Sequence, residues 1–339
     1  MKNKKIKILY ICFNLSSFVR KDLDILNKHF EVRFLKYNGI KSVILFLYSL
    51  LKEIRKADVV FSRFASTHAF LAVLFSKILQ KKSVVILGGF DVANVPEIGY
   101  GFARSCIKKM ILKFTLISAD KVLPISNFLK NEAIKIAGKR DNIQTVYLGF
   151  SPEKWKPGKK ENIVLTVCGE LTKLVIKRKG LDTFVEAAKY VPEAKFIVIG
   201  KRTEESEELI RKAPKNVEFV DFLPQDRLLE YYQRAKVYCQ LSIYEGFGNS
   251  LGEAMLCECV PVVTKTKFAE FPMIVKDTGF YVPYGDAKAT AEAIKKALNS
   301  DKGKEARKRI ETLFPLERRE TALFNIVHDL LGDEHEKLS

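Results

Sequence analysis

Short β-branched apolar runs alternate along the chain with longer stretches whose apolar residues recur every three or four positions. In the first half, Ile6–Phe13, Glu31–Leu35, Val59–Arg63, Ser83–Leu87, Lys121–Ile125 and Gln144–Leu148 read as strands. Helical spacing fills 17–29, 41–56, 66–80, 104–118 and 127–137 between them. The second half repeats the alternation. Its strands are expected at Ile163–Cys168, Lys195–Gly200, Val217–Phe222, Val237–Leu241, Val260–Val263 and Phe280–Val282. Its helices are expected near 180–190, 204–212, 226–235, 250–257, 287–299 and 303–313. Continuous apolar strands bury both faces, so each half should be a parallel sheet covered by helices. The expected fold class is α/β, with two doubly wound domains facing across a cleft at the carboxyl ends of the strands.

The Pro-, Gly- and charge-rich segment Gly149–Gly158 reads as a linker. It separates an N-terminal domain, 1–150, from a C-terminal one, 159–316. A closing helix at Glu317–Leu331 carries Leu323, Ile326, Val327, Leu330 and Leu331 at helical spacing, with Gly332 as its stop. That helix is expected to pack back on the first domain, and the polar tail Asp333–Ser339 to fray.

At 339 residues the chain can build two cores, and 47% hydrophobic residues exclude a disordered or repetitive polymer. Six scattered cysteines, with only Cys257 and Cys259 close together, give neither a zinc motif nor a disulfide framework. No run approaches the ~18 apolar residues of a membrane span. The lysines before Ile6–Phe13 loosely imitate a leader, but the run is short, alternates with Lys7 and lacks a small-residue cleavage site. A cytoplasmic protein is expected. Charge changes the picture more. The first 150 residues hold 26 Lys+Arg against 10 Asp+Glu, and the rest hold 32 against 30. The halves should meet different partners, the first an anionic surface.

The densest chemistry lies in Ser242-Ile-Tyr-Glu245-Gly-Phe-Gly-Asn-Ser-Leu-Gly-Glu253-Ala-Met. Gly246 and Gly248 flank Phe247 after a strand. Asn249 or Ser250 can cap the next helix, and Gly252 keeps its first turn bare. Backbone N–H groups at a helix start suit phosphate, and a carboxylate on either side can accept paired bonds from vicinal hydroxyls. That combination suits a nucleotide-sugar.

This string, followed by Cys259-Val-Pro261-Val-Val, resembles the E-x7-E signature of the retaining GT-B-fold glycosyltransferases, the large group 4 family. The similarity continues through Lys179-Gly180-Leu-Asp182-Thr-Phe, Leu223-Pro224 with Tyr231-Tyr232, and Thr278-Gly279-Phe-Tyr-Val-Pro283. It covers most of 160–300 and is looser before that, where it rests on strand order and Gly88-Gly89-Phe90-Asp91. The resemblance implies two Rossmann-like domains and metal-independent sugar transfer with retention. It gives Glu245 the donor-sugar hydroxyls, Glu253 the ribose diol, and the amides around Gly246–Asn249 the diphosphate. Ser250 and Leu223 border the same donor site. Glu258 stands where relatives usually carry Gly, and is expected to be exposed and harmless.

The basic cluster Lys173-Leu-Val-Ile-Lys177-Arg178-Lys179 is expected in the loop after the second domain's first strand, where a cation would stabilise a leaving diphosphate. The family places an Arg/Lys pair there, the first often after a Gly. Here Gly169 precedes Glu170, so Lys173 and Lys179 take those roles, with Arg178 as a substitute. Gly88 and Gly89 mark a close backbone approach, and Asp91, where many relatives carry His, reads as a base or as an Asx-turn residue. Ser16, Ser17 and Arg20 border the acceptor side by position. Asp22-Leu-Asp24 imitates a metal-binding D-x-D but sits in an amphipathic helix and reads as solvated. No P-loop or dinucleotide fingerprint occurs. No metal and no cofactor beyond the nucleotide-sugar substrate is expected.

Arg104, Lys108, Lys109 and Lys113 alternate with apolar residues, and Lys41, Lys52, Arg55 and Lys56 bracket Val43–Leu51. Such helices suit an anionic membrane more than nucleic acid. The expected protein is a hexosyltransferase-type enzyme. Its acceptor would be a sugar or a lipid-linked molecule, and its basic domain would sit peripherally on the inner face of the membrane. The rivals are a phosphorylase or epimerase of the same fold, and an inactive basic protein that binds membrane or nucleic acid.

Overall fold

The computed structural model describes residues 5–37 and 43–332, so Lys2, Lys4, Lys41 and the tail from Asp333 lie outside the described residues. The chain divides into two compact units, one of residues up to Gly149 together with those from Leu316 onward, the other of Phe150–Pro315.

The first unit begins β1 (Lys7–Cys12), α1 (Ser17–His29), β2 (Glu31–Lys36), α2 (Val43–Lys56) and β3 (Val59–Arg63). It continues with α3 (Thr67–Ile78), β4 (Lys82–Leu87), α4 (Cys106–Ser118), β5 (Lys121–Pro124) and α5 (Asn127–Ala137). The strands form a parallel sheet in the order β2-β1-β3-β4-β5. Central β3 is buried throughout and edge β2 is half-exposed, as unbroken and mixed apolar runs respectively require. The chain reverses direction between β1 and β3, so the loops after these strands open at the sheet's switch point.

Gln144–Leu148, expected as a sixth strand, meets β5 only beside an isolated bridge at Val122 and Ile143, made by Val122 N–H to Asn142 O and Gln144 N–H to Val122 O, and through one further bond, Val146 N–H to Pro124 O. Two of its carbonyls are taken elsewhere. Arg319 Nη1 donates to the oxygens of Val146 and Tyr147 at 3.0 and 2.9 Å, so a side chain replaces the ladder.

The second unit runs β6 (Glu161–Glu170), α6 (Lys173–Lys179), α7 (Leu181–Ala188), β7 (Lys195–Lys201), α8 (Glu207–Lys212), β8 (Val217–Val220) and α9 (Gln225–Arg234). It closes with β9 (Ala235–Gln240), α10 (Asn249–Leu256), β10 (Val260–Thr264), α11 (Phe271–Ile274), β11 (Phe280–Val282), α12 (Ala287–Leu298) and α13 (Gly303–Leu313). Its sheet is also parallel, in the order β11-β10-β9-β6-β7-β8. One core joins Phe184, Phe196, Val198, Val237, Val262 and Ile294 across sheet and helices.

Two expectations change here. The basic cluster is a helix rather than a loop. Thr172 accepts the Val175 N–H to start α6, and Gly180, left-handed at φ 65°, ends it. Residues 150–158, read as linker, fold into the second unit. Trp155 is fully buried edge-on against Tyr232, and Arg307 donates to its carbonyl at 2.7 Å.

The last helix, α14 (Leu316–Leu331), belongs to the first unit and buries Leu323, Ile326 and Val327, the residues its spacing selected. Arg319 projects from it onto Asp22. Its Nε and Nη2 meet the two carboxylate oxygens at 2.7 and 2.8 Å, and Arg63 Nη1 adds a third bond at 3.1 Å. Asp22 is therefore not solvated but buried. Burial pushes its carboxyl up, yet the two guanidiniums outweigh that and hold it below the ordinary aspartate value. The D-x-D resemblance is thus a structural anchor for α14.

Candidate functional site

The site grows from two connections at the carboxyl edge of the second sheet. Gly180 lies so close to the loop after β9 that a Cβ would fall 2.4 Å from the Leu241 carbonyl. This contact brings the end of α6 against residues 241–245. Ile243 N–H donates to Arg178 O at 3.0 Å, and Arg178 Nη1 returns to Tyr244 O at 3.3 Å.

Glu245 collects four side-chain donors as a result. Lys179 Nζ lies 2.6 Å from its Oε2 and Arg178 Nη1 3.5 Å. Gln240 Nε2 and Ser242 Oγ approach the same oxygen at 3.0 and 3.3 Å. The Lys179 and Glu245 side chains are only 13% and 16% exposed, so the pair is largely shielded from water. Burial raises the Glu245 carboxyl, but Lys179 and then Arg178 outweigh it and leave it below the usual glutamate value. For Lys179 burial is the largest influence, and it lowers the ammonium against the opposing pull of Glu245.

Gly248, at φ 102°, turns the chain into α10 and is itself the N-cap, the place expected for Asn249 or Ser250. Its ideal Cβ position is 3.7 Å from Glu245 Cγ, which sets the ion cluster beside the start of α10. No side chain caps this helix. Its first N–H groups have no partner within the helix and carry its positive end. Phe247 is buried against Phe150 and Phe314, so its side chain holds the turn and leaves its backbone to the site. Gly252 answers to the same ring, because a Cβ there would lie 2.4 Å from Phe150. Packing, not a bare first turn, explains it. The Ser250 hydroxyl bonds the phenols of Tyr232 and Tyr238.

Glu253, about one turn into α10, is 4% exposed. Gln225 Nε2 donates to its Oε1 at 3.0 Å and the Tyr232 hydroxyl approaches Oε2 at 3.5 Å. Burial raises the Tyr232 phenol well above its ordinary value, so it stays protonated and able to donate. Lys154 Nζ in turn fixes Gln225 Oε1 at 2.6 Å. Leu223 is half-buried in the connection just before α9.

Lys173 does not join this cluster. Six residues of helix separate it from Lys179, about 9 Å of rise and a different face. It is exposed, its backbone N–H meets the Glu205 carboxylate, and it lines a groove of about 490 Å³ with Lys177, Asp182 and Lys212. Asp91 is also reassigned. It is fully buried and accepts backbone N–H groups from Gly89 at 2.8 Å, Gly88 and Ala65 at 3.1 Å, and Val92 at 3.2 Å. A carboxylate so occupied organises a turn, which favours the Asx-turn alternative read from the sequence. The close approach at Gly88 is that of the Phe64 ring, 2.1 Å from an ideal Cβ, while Gly89 takes φ 124°. Ser16 precedes α1 with its hydroxyl buried and unpartnered, Ser17 is exposed, and Arg20 Nε bonds Leu15 O at 3.2 Å.

Sequence reasoning assigned no role to Gln225, Gln240, Ser242 or Tyr232. Gln240 was detectable as a polar residue ending an apolar strand, whereas Gln225 reaches Glu253 only through tertiary packing. Glu258 is corrected as well. It is half-buried at φ 65°, the residue after the Cys257 C-cap of α10, where Cys259 N–H bonds Ala254 O and Glu258 N–H bonds Met255 O. That is a Schellman arrangement, and it explains a preference for Gly. Among the described residues, no group of three or more His, Cys, Asp or Glu is placed to hold a metal ion.

The family model for glycosyl transferases group 1 matches residues 150–312, the whole of this site included. Those residues belong to the glycosyl transferases group 1 family. Capsular polysaccharide biosynthesis glycosyltransferase CapM of Staphylococcus aureus is 28% identical over 60% of this chain and 60% of its own length. N-acetyl-alpha-D-glucosaminyl L-malate synthase of Bacillus anthracis is 27% identical over 82% of this chain and 76% of its own. The chain thus spans somewhat less than two thirds of CapM and about three quarters of the malate synthase. Among solved structures, HepE of Anabaena in complex with UDP and glucose matches with a TM-score of 0.79 at 15% identity, over 96% of this chain and 100% of that one. The fold expected of the chain, two parallel-sheet α/β domains of the GT-B glycosyltransferase class, is the fold it has.

Proposed function

We propose that the group 1 domain binds a nucleotide-sugar and that the protein transfers its hexosyl group to an acceptor with retention of anomeric configuration, without a metal ion. The observation that carries this is the placement of the Lys179–Arg178–Glu245 cluster beside the uncapped start of α10, with Glu253 held about one turn further on. The cations and helix amides would take the diphosphate. As the bond from the anomeric carbon to the diphosphate oxygen breaks, its electron pair moves to that oxygen, and Lys179 and Arg178 meet the growing charge. Glu245 would exchange part of its cationic company for donor-sugar hydroxyls. Glu253, oriented by Gln225 and Tyr232, would accept both hydroxyls of the ribose.

HepE was crystallised with UDP and glucose, which makes a UDP-hexose the first donor to try. CapM is named for a capsular polysaccharide and the B. anthracis relative for a malate conjugate, so relatives differ in acceptor. A lipid-linked acceptor rests instead on the basic first unit. The test is UDP release from UDP-hexoses in the presence of candidate acceptors, with the product's anomeric configuration read by NMR. Retained configuration and no metal requirement support the proposal. Sugar 1-phosphate formed from added orthophosphate would show a phosphorylase, and no turnover of any nucleotide-sugar would overturn the reading.

A further inference from the structure

The first turn and a half of α4 is exposed, with the Lys108 ammonium resting over the Phe102 ring. Cys106 through Met110 are all exposed, and burial begins only at Ile111 and Leu112. The packing shows why. Phe70, in the first turn of α3, meets Phe114, in the third turn of α4, with ring centroids 5.2 Å apart. Helix α4 therefore starts about one and a half turns beyond its neighbour. Helices in this layer begin at the carboxyl ends of the strands, so the overhang rises from the edge that also carries the loops of Ser16 and Gly88.

Its composition is unusual for water. Ile107 and Met110 lie one turn apart on a shared stripe and are each 72% exposed. Lys108, Lys109, Lys113 and Arg104 surround them, all exposed, and α4 contains no acidic residue. The same helical layer carries a second stripe on α2, where exposed Leu45 and Tyr48 are followed by Lys52 and Arg55 at helical spacing. Helix α3 packs against both α2 and α4, so the two stripes flank it.

We propose that this rim is a docking surface for an anionic lipid bilayer, with Ile107 and Met110 entering the interface and the surrounding lysines meeting the headgroups. Apolar tips inside a basic ring match a bilayer's layering of charge over hydrocarbon. Nucleic acid would use the lysines but would gain nothing from two protruding aliphatics, and α4's exposed turns carry no aromatic ring for base stacking. No described helix is long and apolar enough to cross a membrane, so the contact is with the surface. Docking stands apart from the donor reading. Only its corollary, that the acceptor is carried on a lipid at this edge, rests on that reading.

The test is flotation of the full chain with vesicles of phosphatidylcholine alone or enriched in phosphatidylglycerol, with a DNA duplex as a competing ligand. Wild type should float with the anionic vesicles and stay behind with the neutral ones. Ile107→Ser with Met110→Ser should weaken flotation about tenfold or more, from the lost apolar burial. Lys108→Glu, Lys109→Glu and Lys113→Glu together should abolish the preference for anionic lipid. Both variants should keep the wild-type melting temperature, which checks folding without reference to the donor site. Flotation unaffected by the serine pair, no flotation at all, or lysine-dependent binding of DNA in preference to vesicles would overturn docking.

Discussion

Replacing Lys179 with methionine removes the charge at the tightest contact of the donor site while keeping most of the side chain's volume. Glu245 then loses its 2.6 Å partner but keeps Gln240 at 3.0 Å, Ser242 at 3.3 Å and Arg178 at 3.5 Å. A buried carboxylate stripped of its only cation would destabilise the fold by roughly 3–5 kcal/mol. With a second cation in place and both side chains partly exposed, about 1–2 kcal/mol is expected, read from urea unfolding. The effect on transfer should be larger. One preorganised donor to a developing oxyanion contributes about 10²–10³ in rate, and Arg178 can move toward the vacated place, so the lower end is expected in kcat/KM. Ligand binding separates this role from a merely structural one. The substitution should weaken UDP, whose diphosphate needs the cation, and leave uridine almost unchanged. Equal weakening of UDP and uridine, or kcat/KM within twofold of wild type, would refute the assignment.

Glu258→Gly should stabilise the second unit by about 1 kcal/mol in chemical unfolding, because φ 65° at the end of α10 strains any residue with a Cβ. Asp91→Ala should cost about 3 kcal/mol by removing the carboxylate that four backbone N–H groups share, whereas Asp91→Asn, if the residue serves the turn, should leave the shape of the pH–rate profile in place. His68 is buried, with Nε2 donating to Arg63 O at 2.8 Å and Nδ1 accepting from Ser66, and burial lowers its pKa from 6.5 to about 4. The unfolded imidazole takes up a proton below about 6.5 while the folded one stays neutral to about 4. Stability should therefore fall through that window as pH drops, by about 3 kcal/mol in all, and His68→Gln should flatten this part of the acid limb in thermal melts.

Periodicity carried most of the fold. The strands of both sheets and the helices around them follow apolar spacing closely enough that α1, α5 and α13 begin and end where the pattern does. The misses share a cause, which is that distant residues decided them. Gln144–Leu148 has strand composition, but Arg319, far along the chain, takes its carbonyls. Lys173–Lys179 looks like a solvated charge run until Thr172 and Gly180 are seen to bracket a helix. Asp22 sits in a helix that looks amphipathic and polar, and only Arg63 and Arg319 reveal that it faces inward. At the site, the Glu245 string and its glycine turn were legible in local spacing and Lys179 through the resemblance, but the contact between Lys179 and Glu245, 66 residues apart, came only with the fold. Gln225 and Tyr232 were not legible, because α9 meets α10 only after folding.

The central claim is that Glu253 and the Lys179–Glu245 cluster belong to one nucleoside diphosphate site. Calorimetric titration of UDP into wild type and Glu253→Ala tests it most directly. Wild type is expected to bind UDP, and the variant to bind it at least tenfold more weakly, by about 1.4 kcal/mol or more, while discriminating less between UDP and 2′-deoxy-UDP. Absence of binding by any nucleoside diphosphate, or equal affinity in wild type and variant with ribose discrimination intact, would contradict it.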